Sequence, residues 1–235
     1  PVKRSRVSDE VVVQLTRMIV QGTYPAGERL PPERSLAKEL GVTRTTLREA
    51  LRKLEGMGLI AVRQGDGIYA RDHTVSASLE FVRFLVMTGI DLDPEFMLSL
   101  EEARRIFALK LVELAAERID EEGLERLEAI VREYPKGRTP ELLSGELDFR
   151  LYHEIAKATR NRAFVAILNS LREMFGLLRW LYAKCDDEAV DGAAALNVRL
   201  VAALRSRDAE AAVKILTERM DSDARVIAGL LMGGL

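Results

Sequence analysis

The chain has 235 residues, enough for one large domain or two modest ones, and its 48% hydrophobic and 31% charged residues describe a well-solvated protein with a real core. No run of about 18 apolar residues occurs, which excludes a membrane span, the basic start Pro1–Arg6 lacks the apolar stretch of a signal peptide, and the single Cys185, read as an ordinary small side chain, fits a reducing cytoplasm. The formal charge of −2 hides an asymmetry: residues 1–73 carry 13 Lys and Arg against 9 Asp and Glu, whereas residues 74–235 carry 22 against 28, so the basic part is the one expected to meet a polyanion.

Ser8 is placed to cap a first helix, in which Val12, Leu15 and Ile19, with Val11 and Met18 beside them, follow the 3–4 spacing of an amphipathic helix up to Gly22. Tyr24-Pro25-Ala26-Gly27 reads as a turn. Pro31-Pro32 opens a short second helix over Glu33–Leu40, which Gly41 stops in a left-handed conformation. Thr43 caps a third helix running to about Glu55, broken by Gly56 and Gly58. Leu59–Arg63 and Gly67–Arg71 are β-prone, with Gln64-Gly65-Asp66-Gly67 as the hairpin turn between them. The weakly apolar stretch around Asp72–Ser78 reads as an interdomain linker. From there helices are expected near 79–88, 93–119, 121–133, 140–159, 161–184, 188–206 and 208–231, with no strand-like alternation. Short connections between them imply an antiparallel bundle. The fold class is therefore mainly α. A winged helix-turn-helix of three helices plus a β-hairpin occupies 1–72, a linker 73–78, and an all-α bundle of six or seven helices 79–235.

On the third helix Leu47, Ala50, Leu51 and Leu54 form one face, and Arg44, Thr45, Arg48 and Arg52 lie away from it. Arg44 and Arg48 are one helical turn apart in the first two turns, the part of a recognition helix that enters a major groove. A guanidinium fork matches guanine O6 and N7, which phosphate contacts alone do not distinguish. Thr43, Thr45 and Thr46 are candidates for phosphate or thymine edges, Arg34 for the DNA backbone, and the Gln64-Gly65 tip for a minor groove, because glycine lets the backbone come close. Each residue has an ordinary explanation as solvated face or cap. Their order and spacing together point to double-stranded DNA.

Leu30-Pro31-Pro32-Glu33-Arg34-Ser35-Leu36-Ala37 followed by Gly41-Val42-Thr43-Arg44-Thr45-Thr46-Leu47-Arg48-Glu49-Ala50-Leu51 resembles the N-terminal domain of GntR-family bacterial regulators, and the likeness continues through Leu54–Ala70. That resemblance implies DNA contacts at Arg34, Arg44 and Arg48 and a wing tip in the minor groove. The helical remainder is similar to the FCD domain of the FadR subfamily at Glu102-Ala103-Arg104-Arg105, Leu147–Asn161 and Ala195–Ala212. It implies a homodimer that reads an inverted repeat, with a small-molecule effector held inside the bundle.

Many FCD domains hold a metal through an Asp and a His one turn apart plus two later histidines. Here the position one turn before His153 is Phe149, the nearest Asp is Asp148, and Asn197 and Arg219 stand where the later histidines align. No metal or other cofactor is therefore expected. An acidic effector then needs cationic partners, for which Arg104 and Arg219 are candidates, with Tyr152, His153, Tyr182 and Asn197 as hydrogen-bonding neighbours. A fatty acyl-CoA is one candidate effector, as in the metal-free FadR type; a small carboxylate or sugar acid is the alternative. Arg219 also has a plain structural reading, as the partner of a buried acid. The apolar stretches Phe81–Met87 and Phe175–Tyr182 are read as core, with a dimer face as the alternative.

An enzyme with a DNA-binding head finds little support, since there is no glycine-rich phosphate loop and no Gly-x-Ser-x-Gly elbow. An architectural DNA binder without an effector is the remaining alternative. It would have a tightly packed bundle, whereas a cavity lined by Arg104, His153 and Asn197 would count against it.

Overall fold

The computed structural model describes residues 2–88, 94–134, 139, 145–172, 175 and 187–231. It divides by contacts into two units, Pro1–Asp93 and Pro94–Leu235. The predicted Tyr182 site, the stretch 176–182 and most of the predicted break at 135–140 lie outside the described residues.

The first unit begins with α1 (Val2–Val20), followed by α2 (Glu33–Glu39) and α3 (Arg44–Gly56). Ser8 does not cap α1. The helix already runs from Val2, Ser8 is 1% exposed inside it, and its Oγ is buried with no hydrogen-bond partner among the described residues. The apolar spacing outweighs the cap preference here, because it continues one face of the helix onto α3. Val11, Val12, Leu15 and Ile19 of α1 are buried, as are Leu47, Ala50, Leu51 and Leu54 of α3, and the two helices pack together. Gly41 takes a φ of +64° in the turn between α2 and α3, where a side chain would be strained.

Strands β1 (Ile60–Arg63) and β2 (Gly67–Ala70) pair antiparallel with Ile60 opposite Ala70 and Arg63 opposite Gly67. A third short edge was not foreseen. The Gly27–Leu30 segment, expected only to leave a turn, lies along the free side of β2. There Leu30 N donates to Ile68 O at 2.8 Å, Ala70 N to Glu28 O at 2.9 Å and Gly27 N to Ala70 O at 2.8 Å.

The segment read as a linker is folded onto the same unit. It forms the one-turn helix α4 (His73–Ser76), capped by Asp72, whose carboxylate accepts from Thr74 N at 3.0 Å. Ser76 Oγ donates to Gly58 O at 2.8 Å and Ser78 N to Met57 O at 3.0 Å. A β-carbon on Gly58, whose φ is +79°, would collide with Ser76 O, so only glycine allows this docking. Helix α5 (Leu79–Thr88) follows, with Phe81 1% exposed and its ring 6.2 Å from that of His73. Polar composition concealed these contacts because most of them run through backbone carbonyls, which carry no residue-type signature.

The second unit contains α6 (Pro94–Arg118), α7 (Glu121–Arg132), α8 (Glu146–Ala158), α9 (Arg162–Ser170), α10 (Asp187–Arg205) and α11 (Ala209–Leu231). Among the described residues the chain thus has eleven helices and one two-stranded hairpin; the periodicities predict the hairpin and ten of the helices, and α4 is the one they miss. Asp120 caps α7 through Gly123 N at 2.9 Å, and Asn161 caps α9 through Ala163 N at 3.0 Å. Gly145, with a φ of +74°, admits the chain to α8 six residues later than its expected start. Helix α6 packs against α8, α10 and α11, and α7 packs against α8 and α10. Their shared core includes Val112, Ala115, Leu127, Leu151, Ile155, Leu204 and Leu216.

Candidate nucleic-acid interface and effector site

Thr43 stands at the head of α3 with extended backbone, and its Oγ1 accepts from Thr46 N at 3.2 Å. The cap stops the backbone amides of the first turn from competing for other partners and sets where the helix begins. Thr43→Ala is expected to lower stability by about 1 kcal/mol, read as a lower urea midpoint that Thr43→Ser restores. Thr46 is only 9% exposed and its hydroxyl lies 2.9 Å from that of Thr43. It serves the cap and core side of α3, unlike the exposed Thr43, Arg44, Thr45 and Arg48. Arg34 is exposed on α2.

The wing tip Gln64-Gly65 is exposed, and Gly65 has a φ of +78° with open space where a side chain would be. Arg29 braces the tip from behind. Its guanidinium donates to Asp66 O and lies so close to Gly67 that a β-carbon there would meet its Nε. Tyr69 OH donates to Asp66 Oδ2 at 2.9 Å, and the Arg63 guanidinium sits 4.2 Å over the Tyr69 ring. Arg29 was not among the expected residues, because its role depends on the third edge of the wing.

In the bundle the structure gathers a buried polar cluster. Asp148 is 3% exposed and accepts from Tyr134 OH at 2.7 Å and from Asn197 Nδ2 at 3.0 Å. Asn197, fully buried, also receives Tyr152 OH at 3.4 Å. Arg219 Nη2 lies 3.8 Å from Asp148 Oδ2, and its Nη1 is paired with Asp223. Arg104 Nη1 reaches the other oxygen of Asp223 at 3.6 Å, while its Nε donates to Glu101 at 2.7 Å. The expected Arg104, Tyr152, Asn197 and Arg219 therefore belong to one connected network. Asp223 and Tyr134 are members with no sequence expectation, and Asp148 is weighed in the sequence only as a metal ligand. Two of them left a trace, since Asp148 and Tyr152, and Arg219 and Asp223, are each one helical turn apart.

His153 belongs elsewhere. It shares a face of α8 with Phe149, ring to ring at 5.5 Å, and lines a groove of about 260 Å³ with Arg126, Ile130, Arg150 and Glu154. Arg126 Nε donates to Glu154 at 2.9 Å and Arg150 Nη1 to Glu133 at 2.6 Å. Burial pushes the Glu154 carboxyl up, but the hydrogen bonds from Lys157 and Arg126 outweigh it and hold the group below the usual carboxylate range.

The network does not fit the divalent cation that many FCD domains hold. The residue one turn after Asp148 is a tyrosine, the next contributor is an amide, and the fourth is a guanidinium, which has no lone pair to offer a metal. Among the described residues no three His, Cys, Asp or Glu side chains are grouped as metal ligands.

Residues 7–70 match the gntR family of bacterial regulatory proteins, and residues 99–222 match the FCD domain. The chain belongs to the GntR family. It is 34% identical over 176 residues to the HTH-type transcriptional regulator Rv0494 of Mycobacterium tuberculosis, covering 75% of this chain and 71% of that one. It is 31% identical over 225 residues to the Uxu operon transcriptional regulator of Escherichia coli, covering 92% and 85%. The solved structure of Lar, which controls the expression of the Listeria monocytogenes agr system, shares the fold with a TM-score of 0.60 at 20% identity, over 94% of this chain and 96% of that one. As a GntR-family protein the chain is a transcription regulator with a DNA-binding helix-turn-helix and an FCD effector-binding domain. No helix among the described residues is long and apolar enough to cross a membrane.

Proposed function

We propose that this GntR-family protein is a cytoplasmic homodimer that reads an inverted-repeat operator through Arg34, Thr43, Arg44, Thr45, Arg48 and the Gln64-Gly65 wing tip. A small acidic metabolite bound in the bundle controls its operator affinity. The observation that carries the DNA half is the capped α3, with Arg44 and Arg48 exposed on the side opposite its buried leucines. Dimerisation is supported by α6, where Leu98 and Ile106 expose 73% and 65% of their surface two turns apart.

For the effector, the network of Arg104, Tyr152, Asn197 and Arg219 supplies both charge and hydrogen bonds, from the buried Arg219 and Asn197 out to the partly exposed Arg104. Arg104 is its accessible cation, at 32% side-chain exposure against 4% for Arg219. A carboxylate or phosphate reaching Arg104 would compete with Glu101 and Asp223, and so would loosen a network tied to four helices. Such a differential contact is what a ligand needs to shift a two-state equilibrium. The candidates are a small carboxylate, a sugar acid and a fatty acyl-CoA. Native mass spectrometry of the purified protein, followed by operator binding by anisotropy with each class added, tests the reading. A dimer whose operator affinity changes with one class supports it, and a monomer, or a dimer indifferent to all three, overturns it. The pairing of Arg219 with Asp148 and Asp223 also favours a second reading, an architectural DNA binder whose cluster is purely structural. That reading predicts the indifferent dimer.

We further propose that the site works without a metal. Dialysis against EDTA is then expected to leave Tm unchanged, and added zinc or nickel to raise it by no more than about 1 °C in a thermal-shift assay. A larger, saturable rise would show a resident cation.

A further inference from the structure

Arg48 is held from outside its own helix. Its Nε donates to Glu33 Oε2 at 2.8 Å, an ion pair between the second turn of α3 and the first residue of α2. Glu33 is 30% exposed and Arg48 56% exposed at the side chain, so the contact sits at the rim of the exposed face. Among the described residues Arg44 carries no such brace.

The choice of atom matters. An arginine side chain has many rotamers, and a guanidinium that must read a base has to present two N–H groups in one plane. The bond to Glu33 occupies the Nε position and leaves the terminal Nη groups available. Those two nitrogens are the pair that can span guanine O6 and N7. Glu33 is itself placed by the start of α2, and α2 by the left-handed turn at Gly41, so the plane of the guanidinium is set by the helix-turn-helix as a whole. The carboxylate has a second effect. As an anion beside the reading face, it weakens attraction to any phosphate backbone irrespective of sequence.

We propose that Glu33 is a positioning residue for base reading. It aims Arg48 at a base edge and lowers affinity for non-specific DNA, so it raises specificity at both ends. The inference rests on the DNA-reading role proposed for Arg48.

The test uses the full chain and a duplex enriched by the wild-type protein from a randomised library, with a scrambled duplex of equal length as the non-specific probe. Anisotropy gives the ratio of the two dissociation constants, and Tm monitors folding. Glu33→Ala is expected to weaken operator binding and tighten scrambled-duplex binding, lowering the ratio about tenfold. Glu33→Gln, which keeps an oxygen acceptor for Nε but no charge, should tighten scrambled-duplex binding while retaining most of the base preference. In an Arg48→Ala background, the E33A change should no longer weaken operator binding beyond its effect on the scrambled duplex. An unchanged ratio in E33A overturns the proposal. So does an equal loss on both duplexes, which marks a structural role. A wild-type protein that enriches no duplex overturns the DNA-reading role itself, which distinguishes that failure from the failure of Glu33 alone.

Discussion

Replacing Arg44 and Arg48 together by alanine is expected to reduce affinity for the selected operator by ~30-fold to ~20,000-fold while the protein stays folded. Each bidentate arginine–guanine contact discriminates by about 1–3 kcal/mol, and a tenfold change in affinity corresponds to about 1.4 kcal/mol. Both side chains are exposed, so their loss opens no cavity. Among the described residues, the one bond lost is the exposed pair between Arg48 and Glu33, a type worth about 0–1 kcal/mol. Circular dichroism should therefore show the wild-type helix content and a nearly unchanged Tm. Binding to a scrambled duplex should fall much less than operator binding, because phosphate attraction is shared among many cations. Operator affinity within about threefold of wild type would move base reading away from α3.

The second large effect is on stability. Arg219→Ala is expected to destabilise the bundle by about 3–5 kcal/mol, the range observed when one partner of a buried ion pair is removed. Arg219, Asp148 and Asp223 are each 3% exposed, so the two carboxylates would keep their burial and lose the cation between them. Asp148 would still accept from Tyr134 and Asn197, and Asp223 would still have Arg104 within 3.6 Å, which places the loss within that range and not above it. For a domain of this size the change corresponds to a fall in Tm of roughly 6–20 °C. Arg219→Met combined with Asp148→Asn and Asp223→Asn should recover most of the loss, because no charge is then left without a partner. A Tm for Arg219→Ala within about 2 °C of wild type would show that the cluster is hydrated or rearranged and not held by this pairing.

The recognition helix was legible in the sequence because its determinants are local. A cap needs Thr43 and an amide three residues on, and a face needs apolar residues three and four apart. A left-handed turn needs Gly41. Each of these lies within one or two turns of chain, and the structure has all three. The local rule failed at Ser8, where a good capping residue sits inside a helix whose apolar face binds α3. It also failed at His73–Ser78, where polar composition masked a segment docked through backbone carbonyls.

The bundle site was legible only in part. Arg104, Tyr152, Asn197 and Arg219 stood out as polar groups in an apolar pattern, and the structure connects them. His153, adjacent to Tyr152, was expected to join them and lines a different groove, because neighbouring helical residues point about 100° apart. The partners Asp148 and Asp223 were hidden for the opposite reason. An acid in a helix is ordinary in any sequence, and only the packing of α8 and α11 against neighbouring helices takes these two out of water.

By itself, then, the amino-acid order determined every helix but α4, the hairpin, the capped basic helix and the family to which they belong, since those depend on periodicity and on residue types a few positions apart. Tertiary structure alone decided what holds the readers and the cluster in place: Glu33 on Arg48, Arg29 behind the wing, and Asp148 and Asp223 around Arg219. These pairs join separate helices or strands, or depend on burial that one helix cannot supply. Whether an arginine is solvated, braced or buried is settled by what the fold brings beside it.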